Sequence, residues 1–259
     1  MSHLYIVPSA LVLLLLSGCG AGVGLIVGSG ELATEERSVG EFHSLESTGF
    51  IDTVVEIGEL TSVSITCDDN ALEYIETRVQ NDTLILATRP GVVIETDLDC
   101  YAVVVAHAFD ELTSSGSGEV RCDEILDGLR LVGSTGSGDV MITGATTVDL
   151  VIGATGSGGV GLSDVEADAV ELVTSGSGNV ALLGTARTLD LASTGSGAVL
   201  ARDLVTEDVD LSNTGSGNVE VHATESIVID LTGSGDVDVW GDPIDRDATV
   251  TGSGEVVYH

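Results

Sequence analysis

The residues whose chemistry could be put to use in this 259-residue chain are four cysteines, five histidines and a recurring set of carboxylates. The carboxylates have the most regular setting. Gly-Ser-Gly begins at Gly116, Gly136, Gly156, Gly176, Gly195, Gly215, Gly233 and Gly252, and the residue following each is Glu119, Asp139, Gly159, Asn179, Ala198, Asn218, Asp236 or Glu255. Carboxylates and carbonyls converging at every turn would hold calcium, which takes roughly six to eight oxygen ligands. Here the acid drops out in mid-repeat, so the turns read as structural, with weak surface cation sites as the most they could offer. His43, His107, His222 and His259 are scattered, with no Ser or Cys nucleophile context near any of them. The chain has no lysine and one tryptophan, Trp240, so the charged groups and aromatic platforms of a sugar-cleaving cleft are missing. No Cys-x-x-Cys or Cys/His spacing suggests zinc. The expectation is no catalytic residue, no metal site and no cofactor.

The elements that carry these residues are set by the repeat. The Gly-Ser-Gly starts recur at nearly constant intervals, and so regular a period marks one supersecondary unit stacked on copies of itself. Within a unit the apolar residues sit two apart, as in a strand with one buried face, and no unit after residue 113 has helical spacing. About 20 residues are too few for a strand, a crossover helix and a return, but enough for one coil of short strands. Val140, Val160, Val180, Val219 and Val237 follow the turn at one offset, so in-register stacking would place them above one another. The fold expected is an all-β, single-stranded β-solenoid with an aliphatic ladder core, its eight coils forming a rod of about 40 Å at ~4.8 Å per coil. The rival is an antiparallel array in which each Gly-Ser-Gly closes a hairpin by adopting positive φ. A second column, Glu171, Asp190, Asp210 and Asp230, would stack like charges, either as a solvated face or as a cation-sensitive one.

Composition narrows the partners. Eight arginines against 42 acidic residues give a net charge of −34, which excludes nucleic acid, since phosphate binding rests on Lys/Arg neutralisation. Such acidity suits either a high-salt source or an ordinary acidic surface protein. Residues 4–16 form an apolar run too short to cross a bilayer as a helix, and it reads as the core of a signal peptide spanning 1–18. The run ends in Leu16-Ser17-Gly18-Cys19, which resembles a bacterial lipobox with the Cys19 thiol as lipid attachment point, although Met1-Ser2-His3 supplies no Lys or Arg. Export with a lipid anchor at the envelope, at an outer membrane or cell surface, is the expected location. Residues 19–36, rich in glycine, read as the lipidated cysteine and a flexible tether. Residues 37–112 read as irregular early coils, with one short helical stretch over 70–79 capped by Asn70, and 113–259 as regular repeats. Cys100 precedes Cys122 by close to one coil, so the two could form a disulfide; Cys67, Cys100 and Cys122 as buried thiols filling the core is the other reading. The last coil is either uncovered, inviting strand addition, or blocked by Trp240, Pro243 and Tyr258.

Arg37-Ser38-Val39-Gly40-Glu41-Phe42, then 50–58 (FIDTVVEIG), then 68–77 (DDNALEYIET), followed by Gly-Ser-Gly-Asp/Glu-Val turns, resembles the auto-transporter adhesin head domain family (head GIN, DUF2807). The resemblance covers 37–259. It implies a β-solenoid on an exported, often lipid-anchored bacterial surface protein, with an adhesin role and no assigned catalytic residues. The function expected is therefore non-catalytic binding of a surface ligand, glycan or protein. The alternatives are an envelope rod that assembles into homo-oligomers and, third, a weak cation-binding module.

Overall fold

The computed structural model describes residues 24–259, so the segment 1–18 expected to be a signal peptide and Cys19 lie outside the described residues. Strands β1 (Gly24–Val27), β2 (Leu32–Arg37), β3 (Ser44–Ser47), β4 (Asp52–Ile57) and β5 (Ser62–Asp68) precede a 3₁₀ turn at Leu72–Tyr74. Then come β6 (Ile75–Gln80), β7 (Thr83–Thr88), β8 (Val92–Glu95), β9 (Tyr101–Ala106), β10 (Glu111–Ser114), β11 (Val120–Asp127) and β12 (Leu131–Ser134). The regular rungs are β13 (Val140–Ala154), β14 (Val160–Thr174), β15 (Val180–Ser193), β16 (Val199–Asn213) and β17 (Val219–Gly233). The final coil holds β18 (Val237–Trp240), β19 (Asp245–Gly252) and β20 (Val256–Tyr258).

From β10 onward every pairing is parallel, and the coils stack into a β-solenoid of about seven turns. Register follows the Val column: Val140, Val160, Val180, Val199, Val219, Val237 and Val256 lie opposite one another in succession. Alternation turns one side of each rung inward, so Ile152, Leu172, Leu191, Leu211 and Ile229 form a second buried column. β-branched and Leu side chains suit this position because they fill a pleated surface with few rotamers to lose. The rungs bend in mid-strand where Asp164 (φ 54°) and Gly184 (φ 137°) take left-handed backbone.

The Gly-Ser-Gly corners need glycine for a reason other than turn dihedrals. At Gly156 an added Cβ would lie 1.9 Å from the Gly136 carbonyl oxygen, and at Gly158 2.1 Å from that of Gly138. The approach is close because the Gly136 oxygen accepts two bonds from the next rung, from Ser157 N–H (2.9 Å) and Gly158 N–H (3.2 Å). Of the eight leading glycines only Gly233 and Gly252 have positive φ, so the hairpin alternative does not describe these turns.

The first third departs from what its sequence suggests. β3 and β4 do form a coil, stacked in parallel on β10 and β11. Beyond it, β7 and β9 add in parallel, but β6, β5 and β2 then run antiparallel. A two-residue turn, Asn81 (φ 51°) and Asp82 (φ 62°), joins β6 to β7, the positive-φ pair that a tight hairpin requires. The 70–79 stretch is not an α-helix; one 3₁₀ turn passes into β6, and Asn70 serves elsewhere. Nor is 24–36 a flexible tether, because β1 pairs in parallel with β8 and β2 pairs with β5.

The disulfide joins Cys67 to Cys100, with Cα atoms 4.4 Å apart, while Cys122 is a free buried thiol. Pairing Cys100 with Cys122 required β9 and β11 to be neighbours. β4 lies between them: Cys122 faces Val55, and Val55 faces Val104, four residues past Cys100. The buried hydrophobic residues form one continuous cluster from Phe42 to Val239.

Candidate functional site

Two of the carboxylates that could have gathered calcium, Asp139 and Asp236, have another task. Asp139 Oδ1 accepts a hydrogen bond from Gly159 N–H (2.6 Å), Asn179 Oδ1 from Ala198 N–H (2.9 Å), Asn218 Oδ1 from Asp236 N–H (3.0 Å) and Asp236 Oδ1 from Glu255 N–H (3.0 Å). Each side chain thus satisfies the backbone N–H of its counterpart one rung on, which explains why either Asp or Asn serves there: the bond needs an oxygen, not a charge. Asp52 does the same for Glu119 N–H (2.8 Å). It belongs to a rung that no Gly-Ser-Gly marks, although Ser47-Thr48-Gly49 repeats the Ser134-Thr135-Gly136 lead-in. An inward column under the corner adds Ser134 Oγ to Gly138 O (3.1 Å) and Asn213 Nδ2 to Gly217 O (2.9 Å). Outside, stacked hydroxyl bonds occur in part, as at Ser216 with Ser196 (3.3 Å).

The outward side of the same corner is where charge is lost. Thr135, Thr155, Ser175 and Thr194 form one exposed column, and Ser137, Ser157, Ser177 and Ser196 the next. On one flank stand Gly133, Gly153, Val173 and Ala192, and on the other Asp139, Gly159, Asn179 and Ala198, followed by Met141, Gly161, Ala181 and Leu200. Asp139 is the one charged residue among these four rungs of five outward positions. The drop to Gly161 and Ala181 leaves an open depression of about 320 Å³ edged by Glu119, Arg121, Asp123, Met141 and Leu183, with the Met141 thioether lying over Gly161. The strand face before the corner is opposite in character: Glu171, Asp190 and Asp210 are stacked in register. Asp230 leaves that column and lies beside Ser212, because the register loses three residues between Ala201 and Val205 and regains one after Thr206, which brings Val228 opposite Asp210.

The remaining reactive groups are spread along the rod. Cys67, Asp68 and Cys100 are the one close group of metal-ligand types among the described residues, and both sulfurs are already bonded to each other. Asp68 is buried and holds the base of the molecule together, accepting bonds from Thr96 Oγ1 and from Gly30 N–H (2.7 Å). These, the Thr96 hydroxyl foremost, lower its pKa from the usual carboxylate range. Burial raises that of the Cys122 thiol. His259 pairs through Nε2 with Asp238 (2.6 Å) and stacks on Trp240, whose ring also lies under the Arg202 guanidinium. No hydroxyl or thiol is hydrogen bonded to that His–Asp pair among the described residues.

In the last coil all of β19 is exposed. Arg246, opposite buried Ile227, stands at an inward position, donates from Nε to Pro243 O (2.8 Å) and lies over the Tyr258 ring. Arg246 lies against Tyr258 at this end, while Ala248 and Val250, opposite buried Ile229 and Leu231, stay exposed, and among the described residues β19 pairs along one edge, with β17.

A β-solenoid of stacked, corner-locked parallel coils is the class that this rod defines. The family described as "Putative auto-transporter adhesin, head GIN domain" matches residues 41–243, and the chain belongs to it. Among solved structures it is similar to a putative adhesin from Parabacteroides distasonis (23% identity, 91% of this chain and 100% of that one, TM-score 0.83). A putative lipid binding protein from the same organism (22%, 91% and 99%, TM-score 0.82) and a putative adhesin from Bacteroides fragilis (22%, 90% and 100%, TM-score 0.70) share the fold. No curated protein matches the chain. Among the described residues no helix is long and apolar enough to cross a membrane.

Proposed function

We propose that the chain is an exported lipoprotein, anchored through Cys19 after removal of 1–18, whose β-solenoid head binds a surface ligand and catalyses nothing. The observation carrying the binding role is the Thr/Ser band across four rungs, with Asp139 as its one charged residue, in a molecule with net charge −34. On the neighbouring strand face the carboxylates of Glu171, Asp190 and Asp210 repel anions and hold water. On this band hydroxyls and the amide of Asn179 repeat with the strand spacing of ~4.8 Å, over a floor of Gly, Ala and Met. Such a surface suits a neutral, hydrogen-bonding partner, a glycan or a protein face. The adhesin descriptions of the family and of its structural relatives agree with this reading.

The test is a binding screen of the mature chain against glycans and surface proteins, repeated with Ser157→Glu and Ser177→Glu. Both positions are on the open side of the corner, so the fold tolerates them. Loss of binding in these variants, with Glu171→Gln and Asp190→Asn unaffected, is expected. Binding that ignores the band, or no binding to any partner, overturns the reading. A second reading, assembly into rods, draws on the unpaired outer edge of β19; it predicts a molar mass by light scattering that rises with concentration. The inward Arg246 opposes it, since a charge turned into the last coil is a recognised guard against strand addition.

A further inference from the structure

We infer that the outward face of the β1–β8 ribbon seats on an uncharged lipid surface and so fixes how the rod stands on its membrane; this rests on the lipid-anchor reading above. β1 and β8 pair in parallel with Leu25 opposite Val93 and Val27 opposite Glu95. Period-2 alternation therefore sends Leu25, Val27 and Val93 to one side, and they are 59%, 62% and 51% exposed. Ile26 and Ile94 take the other side, where Ile94 packs against the core. A two-stranded ribbon is marginal by itself, yet this one is fastened. Asn70 Nδ2 donates to Val27 O (2.9 Å), Ser29 N–H donates to Asn70 Oδ1 (3.0 Å), and Gly30 N–H reaches buried Asp68 beside the Cys67–Cys100 disulfide. The apolar face is thus held in a set orientation at the base of the rod.

Its occupant follows from chain length. Cys19 stands five residues before Gly24, a reach of at most about 17 Å at ~3.4 Å per residue. An acylated Cys19 sits at the bilayer surface, so the ribbon is confined to the neighbourhood of the headgroups, whose layer is about 5–8 Å deep on each side. There Leu and Val side chains bury apolar area while Glu95 stays in the polar layer. Glu31, Glu95 and Asp97, together with the net charge, oppose anionic headgroups, which leaves zwitterionic or neutral lipid as the partner.

The test uses the lipidated full chain in phosphatidylcholine vesicles whose acyl chains are brominated, with an L25W variant as the depth probe and V93W as a second should the first not fold. Native Trp240, on the last coils, is the internal reference. Loss of emission from the probe but not from Trp240 is expected, together with recovery when Val27→Glu is added and weaker quenching when anionic lipid is mixed in. An unquenched probe in chain whose acylation is verified by mass spectrometry overturns the inference and leaves the anchor standing. Absence of the acyl mass removes the anchor and the inference with it. A probe that shifts with protein concentration in the absence of vesicles places a second copy on the ribbon, and also overturns it.

Discussion

The two ends of the chain solve the same stacking problem differently. Residues 131–233 repeat one coil, held by glycine-to-glycine contact at the corner, aliphatic columns inside and Asp/Asn bonds to the next rung's backbone. Residues 24–109 have no such repeat and use individual devices instead: the Cys67–Cys100 bridge, the Phe42–Phe109 ring pair, the Asn81-Asp82 hairpin and buried Asp68. A repeat coil meets only its neighbours, so its stability is a sum of equivalent interfaces. A terminal coil has one neighbour and must be finished by unique contacts. The difference teaches that sequence regularity here marks interchangeable interfaces, and that irregularity marks closure of the stack.

The comparison can be broken most severely at a corner. Gly156→Ala places a methyl 1.9 Å from the Gly136 oxygen, and because backbone stands on both sides, a loss above about 4 kcal/mol is expected, in the class of exceptional single-site effects. Urea denaturation would check it; a near-neutral result would mean that the rungs are not locked in this way. Next in size, Cys67→Ser should cost about 2–4 kcal/mol by freeing a loop of 33 residues. The loss should be confined to the base, with amide exchange faster in β5 and β9 but unchanged in β14 to β16.

Within the column after the corner, Asn179→Ala should cost about 1 kcal/mol, the worth of one net hydrogen bond. Asp139→Asn should be close to neutral in thermal melting, because the bond to Gly159 N–H survives. The most local effect is that of pH. Asp68 has a folded pKa below its usual 3.8, so its stabilising contribution is complete above the unfolded value and fades only as pH falls through the lower folded one. Amide exchange around Gly30 and Thr96 should therefore be flat from pH 7 to about 5 and accelerate below about 4, with an Asp68→Asn variant losing that acid dependence.

Much of the rod was legible in the sequence because its information is local and repeated. Val140 and its counterparts at a shared offset suffice for parallel stacking, and the alternation around Leu172 for the buried side. Asp230 escapes such reading, since the shortening of its coil falls where Ala201 and Val205 face Val221 and His222, and no motif flags the shift. The base is less legible. Leu72, Ile75 and Val79 have helical spacing, but Ile75 and Val79 are drawn into β6 by pairing with β7, a tertiary demand that propensity does not record. Cys100 and Cys122 look one coil apart because nothing in the intervening residues says that β4, from far earlier in the chain, is inserted between their strands. The Asp/Asn bonds are hidden for a simpler reason: Asp139 reads as a charge in sequence, and only the stacked backbone shows it to be an acceptor.

The bonds that the corner carbonyls receive, paired at Gly116, Gly136, Gly156, Gly176, Gly195 and Gly233 and single at Gly215, have a mechanical meaning. They run along the rod's long axis, so a pull on its far end loads them in the direction in which they open, one level after another rather than all together. Each level that yields would release close to one full coil of chain, about 65 Å of slack at ~3.3 Å per residue, and the levels beneath keep their grip. Stretched in this way, the molecule lengthens by steps and acts as a brake.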